Sequence, residues 1–221
     1  MSPTLHGIGM TSQRTRARML ERLREKGIRN EEVLAALASV PRHVFVDEAL
    51  ASRAYEDTAL PLGHSQTISQ PFIVARMIEV LLDGRRGGLG KTLEIGTGCG
   101  YQAAVLAQLT DNLYSVERIQ HLLDQARVNL QKVDLQHVIL KHADGHFGLP
   151  EAAPFDTIIA AAAASRVPQG LLQQLAIGGR LALPLGTGDN QCLALVERKV
   201  DGFVETRLDP VKFVPMLPGT Q

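Results

Sequence analysis

Leu93-Glu94-Ile95-Gly96-Thr97-Gly98-Cys99-Gly100-Tyr101 is the stretch whose reading decides the fold. Thr92 to Ile95 reads as a short buried strand, and the glycines after it as a sharp turn. Without a Cβ, glycine lets the backbone turn tightly and come close to a ligand. From Tyr101 to Leu109 the apolar spacing predicts a helix. The glycine pattern is G-x-G-x-G, and Tyr101 stands where a dinucleotide fingerprint wants its third glycine. On its own the turn reads equally well as a plain strand-to-helix connection.

Downstream, short apolar strands alternate with helices. Strands are predicted at Leu113 to Val116, Val138 to Leu140, Asp156 to Ala161, Arg180 to Leu185 and Cys192 to Glu197. Helices are predicted from Ile119 to Leu130 and from Pro168 onward, the second closed by Gly178 and Gly179. Phe203 to Val214 looks like part of a closing hairpin. The alternation implies an α/β fold, with a doubly wound, mostly parallel sheet covered on both faces. The alanine run Ala160 to Ala164 sits at a strand end, where small residues let another chain segment approach.

Upstream, Thr11 to Lys26 reads as a basic helix with a solvated face. Asn30 caps a second helix, which Pro41 ends. Tyr55 to Gln70 is non-periodic and rich in Gly, Ser, Thr and Pro, a loop to search for function. Pro71 opens a third helix as its first residue. Gly84 to Gly90 is a flexible connector. The expected organisation is residues 1–83 as helices plus a substrate and cofactor loop, and 84–221 as the binding core. The two are expected to form one structural domain.

Composition narrows the classes. The 221 residues are 45% hydrophobic and 21% charged, with 23 basic and 23 acidic side chains. Zero formal net charge argues against a protein run by attraction to nucleic-acid phosphates. Met1 to Arg18 has no apolar signal-like core, and no apolar run reaches membrane-spanning length. A cytoplasmic protein is expected, with neither membrane nor nucleic acid as partner. Cys99 and Cys192 give no disulfide framework and no zinc spacing. His6, His43, His121, His137, His142 and His146 show no metal-ligand spacing, so no metal is expected. His64 reads as a substrate contact or a solvated loop residue.

In such sheets ligands bind beyond the carboxyl ends of the strands. The second core strand ends at Glu117, whose carboxylate can accept from both hydroxyls of a ribose. The third ends at Ala143-Asp144-Gly145, where Asp144 can accept from an exocyclic amine such as adenine N6. With the Gly96–Gly100 turn, three strand ends then offer what an adenosine needs. A dinucleotide would want the missing glycine for its pyrophosphate, whereas S-adenosylmethionine carries a sulfonium and no phosphate. Glu94 either orients the turn or meets the ammonium group of such a ligand. The competing reading is a buried carboxylate held by backbone amides.

Leu93 to Tyr101 resembles motif I of the S-adenosylmethionine-dependent methyltransferases. Gln66-Thr67-Ile68-Ser69-Gln70-Pro71 is similar to the segment before motif I in the protein-L-isoaspartate (D-aspartate) O-methyltransferases. Val40-Pro41-Arg42, Ala59-Leu60-Pro61, Ser115-Val116-Glu117-Arg118, Asp144-Gly145, Pro154-Phe155-Asp156 and Phe213-Val214-Pro215 follow in that family's order. The resemblance covers roughly residues 10 to 217. It implies a Rossmann-like sheet with a variant strand order and an antiparallel strand near the end, preceded by a helical flank. It also implies methyl transfer from S-adenosylmethionine, giving S-adenosylhomocysteine, to the free α-carboxylate of L-isoaspartyl residues in aged proteins or peptides. The ester then closes to a succinimide, which begins repair.

Carried over by the same resemblance, Ser69 is the active-site residue. Gln66, Thr67, Ile68, Ser69, Glu94, Gly96, Thr97, Gly98, Gly100, Glu117, Asp144 and Gly145 are cofactor contacts. Ser69, Val214 and Pro215 are substrate contacts, and a monomer is expected. Ser65 departs from the family's frequent glycine, Lys212 from its frequent arginine, and Ala163-Ala164-Ser165 from its prolines. The alternatives are a small-molecule methyltransferase of the same fold and a non-catalytic adenosine-binding Rossmann protein.

The chemistry needs little from the protein. An α-carboxyl titrates near ~3.5, so the nucleophile is already ionised at neutral pH. No general base is required, in keeping with the lack of a Ser/His/Asp or Cys/His set. Ser69 need only donate a hydrogen bond that orients one carboxylate oxygen.

Overall fold

Alternate residues along the central strands enter different cores, which is what a sheet covered on both faces demands. On β6 (Phe155–Ala160), Ile158 and Ala160 join one apolar cluster and Ile159 the other. On β7 (Leu175–Thr187), Leu181 and Leu183 join the first and Ala182 the second. The computed structural model describes residues 7–221, so His6 lies outside the described residues.

The remaining strands of this sheet are β3 (Thr92–Ile95), β4 (Leu113–Glu117), β5 (Ile139–His142), β8 (Asn190–Lys199) and β9 (Gly202–Pro210). Their order is β5-β4-β3-β6-β7-β8-β9. Pairing is parallel from β5 to β7, while β8 is antiparallel to both β7 and β9. The chain starts in the middle at β3, goes outward to β5, then returns to β6 on the other side. That reversal leaves a crevice at the carboxyl ends of β3, β4 and β6.

Helices α1 (Gln13–Glu25), α2 (Glu31–Ser39) and α3 (Pro71–Leu82) precede the sheet. Asn30 caps α2 by accepting from Val33 N–H, and Pro71 opens α3, as the sequence predicts. Met19, Leu23, Leu34, Leu37, Met77 and Ile78 from these helices join residues of α4 (Tyr101–Leu106) in one cluster against the sheet. Each such fully buried side chain contributes roughly 1.5–3 kcal/mol. α5 (Gln120–Lys132) and α6 (Gln169–Gln174) complete the helical layers.

Three expectations are corrected. Tyr55 to Gln70 is not wholly a loop, because it contains an antiparallel hairpin, β1 (Leu60–Gly63) and β2 (Gln66–Ile68). Gly178 and Gly179 do not close a helix. They lie in β7, where pairing with β6 jumps from Phe155–Leu175 to Thr157–Arg180, and Gly178 takes φ +79° at that bulge. The helix after the glycine turn ends at Leu106, and Gln108 and Leu109 continue as tighter turns donating to Val105 and Leu106 carbonyls.

Candidate active site

The glycine turn is fixed by its neighbours before any ligand arrives. Gly96 and Thr97 N–H donate to Val116 O at 2.8 and 3.2 Å, tying the turn to the end of β4. Gly100 has φ +88° and precedes α4, a conformation that favours glycine. Asn129 on α5 donates its side-chain amide to Cys99 O at 3.1 Å. Nothing in the sequence pattern marked Asn129, a buried amide on an otherwise apolar helix face.

Glu117 closes the turn from the β4 side. Its Oε2 accepts from Gly98 N–H at 2.9 Å, and its Oε1 from Arg118 and Ile119 N–H at 2.9 and 3.0 Å. A carboxylate offers about four acceptor sites, so capacity remains for a further donor. Asp144 accepts from His146 N–H at 2.9 Å and lies 3.0 Å from His146 Nδ1 through Oδ1, while Oδ2 accepts from Gly219 N–H at 2.6 Å. Burial alone would push this carboxyl up. The Gly219 and His146 donors outweigh it and hold Asp144 below the usual carboxylate range. Next to it, Gly145 is needed for close approach, because a Cβ there would lie 2.4 Å from Ile95 Cγ2.

Glu94 faces the opposite side of β3 and is fully buried. It is held by side chains, not by the backbone amides considered above. Gln102 Nε2 donates to Oε1 at 3.1 Å, and Ser115 Oγ donates to Oε2. Ser115 Oγ also lies 2.6 Å from Thr97 Oγ1, so a polar relay runs from Glu94 to the glycine turn. Burial pushes the Glu94 carboxyl up to about 8, against Ser115 and Gln102, which pull it down; Glu117's charge adds to the rise. The folded state therefore keeps a proton that the unfolded chain releases near 4.5. This contribution is complete below that value and is lost as pH rises to about 8, at roughly 1.4 kcal/mol per pH unit. Glu94→Gln removes the titration: its oxygen still accepts from Gln102, and its amide is matched once the Ser115 hydroxyl turns its proton toward Thr97 Oγ1. It is expected to have a urea midpoint close to that of the parent at pH 5 and clearly above it at pH 8. A lower midpoint at pH 8 would mean that the buried group works as an anion.

Three adjoining depressions open at these strand ends. The first encloses about 650 Å³, open solvent included. Gly96, Gly98, Glu117 and Gly145 line it from the sheet, Gln66 and Thr67 from the hairpin, and Val214 to Leu217 from the last segment. Val116, Ile119 and Leu122 add apolar wall. The second is a surface groove along Ala59, Ser69, Gln70, Ile73 and Pro210 to Val214. The third is a smaller recess between them, with Ile68, Ser69, Thr97, Cys99 and Tyr101. Thr67 and Ala161 border all three.

Of the expected contacts, Gln66, Thr67, Gly96, Gly98, Glu117, Gly145, Val214 and Pro215 thus share the first cleft, while Ser69 stands at the groove and recess. Ile68 and Thr97 border the recess only. Glu94 and Gly100 stand behind these walls and shape them, while the Asp144 side chain, 11% exposed beside Gly145, lies at the edge of the first cleft. Sequence reasoning missed Arg118, Ile119, Leu122, Ala161, Met216 and Leu217 in the cleft wall. Their neighbours in sequence were the available signal.

The hairpin reaches across the mouth. Its turn residues His64 and Ser65 take φ +49° and +55°, and the His64 ring lies 5.2 Å from that of His121 at the start of α5. Lys212 is exposed and pairs with Asp189 at 2.7 Å on the surface. Cys99 is buried, and burial pushes its thiol up to about 11, which leaves it inert as a nucleophile. Among the described residues no three His, Cys, Asp or Glu cluster to hold a metal.

Under the turn lies Arg42, fully buried. Its Nε donates to Ala54 O at 2.8 Å, and its guanidinium sits 4.6 Å from the Tyr101 ring centroid. Phe45 meets the same ring edge-on at 5.7 Å. The cation is thus held by a ring face at the first residue of α4. Burial lowers its pKa, and Tyr101 partly restores it.

Comparison with known proteins shows the family. Residues 14–221 match the family described as protein-L-isoaspartate(D-aspartate) O-methyltransferase. The protein-L-isoaspartate O-methyltransferase of Dechloromonas aromatica is 70% identical over 217 residues, covering 98% of this chain and 100% of that one. That of Methylobacillus flagellatus is 60% identical over 223 residues, covering 99% of each. Among solved structures, a candidate protein-L-isoaspartate O-methyltransferase from Plasmodium falciparum, in complex with S-adenosyl-L-homocysteine, superimposes with a TM-score of 0.77 at 25% identity. The match covers 91% of this chain and 98% of that one.

Proposed function

Because the chain belongs to the protein-L-isoaspartate(D-aspartate) O-methyltransferase family, we propose that the first cleft holds its coenzyme and that Ser69 orients the substrate carboxylate. The protein transfers a methyl group from S-adenosylmethionine to the free α-carboxylate of L-isoaspartyl residues in proteins or peptides. One observation carries the assignment of parts: Thr67, Ala161 and Val214 border both the first cleft and the open groove. A polypeptide in the groove therefore reaches the inner end of the cleft without entering it.

The residues fit an adenosine-bearing sulfonium. Gly96 and Gly98 leave the cleft wall without side chains, and Glu117 keeps acceptor capacity after binding three amides. Val116, Ile119 and Leu122 offer apolar surface for a base. When bound, the coenzyme supplies a methyl group on a positively charged sulfur, ready for direct displacement. The protein's share is to hold the two reactants in line and keep bulk water away from opposite charges that cancel as they react. Ser69 donates its hydroxyl proton as a hydrogen bond and stays covalently unmodified. Asp144 accepts the exocyclic amine of adenine. Val214 forms part of the wall that the substrate backbone passes, and Pro215 continues that wall into the first cleft.

The same reading has the protein working in the cytoplasm as a monomer, with neither nucleic acid nor membrane as partner. Balanced charge supports it, and no helix among the described residues is long and apolar enough to cross a membrane. The test uses methyl-labelled S-adenosylmethionine with an isoaspartyl peptide and its aspartyl twin. Label released as methanol by mild base is expected from the isoaspartyl peptide alone. Equal labelling of both peptides, or of a small acid only, would favour the small-molecule alternative.

A further inference from the structure

The segment after β9 crosses the coenzyme cleft and is anchored on its far side. It first pairs with the end of β6: Ala163 N–H donates to Val214 O and Met216 N–H to Ala163 O, both at 2.8 Å. The alanine run allows this approach. By Gly219 the chain has reached the ends of β4 and β5. Gly219 N–H donates to Asp144 Oδ2 at 2.6 Å, and Arg118 Nε donates to Gly219 O at 2.9 Å. Gln221 N–H donates to Arg118 O, and Gln120 N–H to Gln221 O, both at 2.8 Å.

Residues 217–221 are all exposed, so apolar burial does not explain this path. What holds them is a set of hydrogen bonds to the two strand ends that carry the acidic groups of the cleft. Met216 and Leu217 line the cleft between the anchors, as does Arg118. At Asp144, Oδ1 already faces two nitrogens of His146, whereas Oδ2 has one donor, Gly219. An ionised carboxylate oxygen accepts about two hydrogen bonds. One site therefore remains on Oδ2, and the Gly219 amide fixes where it points.

We propose that residues 216–221 are a coenzyme-positioning strap, in which Arg118 pins Gly219 and the Gly219 amide aims the free acceptor site of Asp144 at the adenine amine. The strap is thereby a determinant of base selectivity, and Arg118 a positioning residue acting through it. This rests on the reading of Asp144 as the amine acceptor.

The test compares S-adenosylhomocysteine with S-inosylhomocysteine, in which a 6-oxo group replaces the amine, by titration calorimetry. The parent protein is expected to prefer the adenosyl compound by about 10–100-fold, the usual worth of a hydrogen bond to a charged acceptor. In Arg118→Ala, and in a chain lacking residues 218–221, that preference is expected to fall to about threefold or less, with both proteins keeping a cooperative thermal transition. Preference retained at the parent level in both variants would overturn the strap while leaving the Asp144 reading intact. Equal weakening of both compounds, with the ratio preserved, would reduce the segment to a passive wall and also overturn the proposal. No preference in the parent protein would remove the Asp144 reading and the strap with it.

Discussion

Glu117→Ala is expected to weaken S-adenosylhomocysteine binding by about tenfold or more. A ribose hydroxyl on the acceptor site that the three amides leave free is worth roughly 1.5–3 kcal/mol, which converts to about 10–150-fold in affinity. The same carboxylate also receives the amides of Gly98, Arg118 and Ile119. Alanine leaves all three without that partner at the lip of the glycine turn, so the turn itself loosens. A stability loss of about 1–3 kcal/mol by urea unfolding is expected alongside, limited by water entering the cleft. Glu117→Gln separates the two effects. It keeps the shape and one acceptor oxygen but turns a donor toward a backbone N–H, so its affinity should lie between those of the parent and the alanine variant. Affinity within threefold of the parent in Glu117→Ala, measured by calorimetry, would end the ribose assignment.

Ser69→Ala has the second large effect, on turnover and not on coenzyme binding. Ser69 borders the groove and the recess but not the first cleft, so its hydroxyl sits where the acceptor carboxylate would arrive. Loss of the orienting hydrogen bond is expected to lower kcat with an isoaspartyl peptide by about 10–100-fold, since small misplacements of reacting atoms carry costs of that order. S-adenosylhomocysteine affinity should stay within a few-fold. The opposite pattern, weak coenzyme binding with normal turnover at saturation, would move Ser69 out of the substrate's reach and into the coenzyme's.

Pattern and turn chemistry made the sheet and its acidic strand ends legible. Glu94, Glu117 and Asp144 all fall at or beside the carboxyl ends of β3, β4 and β5, because strand periodicity fixes where a strand stops. Pro71 announced one helix start through its fixed φ and missing N–H, and Asn30 another through a side-chain oxygen that accepts from Val33 N–H. The hairpin was not legible. Its strands are only four and three residues long, too short for alternation to register, and its turn places His64 and Ser65 at positive φ where Asn-Gly is the usual signal. The path of residues 214–221 was invisible for a deeper reason. Most of its anchors are main-chain N–H and C=O groups, which every residue carries, so composition holds no trace of them. Glu94 was ambiguous because a carboxyl beside a glycine turn has the same sequence signature whether it faces a ligand or the core. Only the position of Ser115 and Gln102 separates the two.

The guanidinium of Arg42 on the Tyr101 ring has a consequence for how such chains can be recombined. A cation contributed by the leading helical layer presses on the residue that begins α4, directly behind the nucleotide turn. Transplanting the Rossmann half alone, or grafting a foreign leading segment onto it, would remove that clamp and leave a large ring facing a void. The coenzyme-binding half is therefore no interchangeable cassette, and chimaeras joined near Gly84 should need their own counterpart of this cation–ring contact before they bind anything.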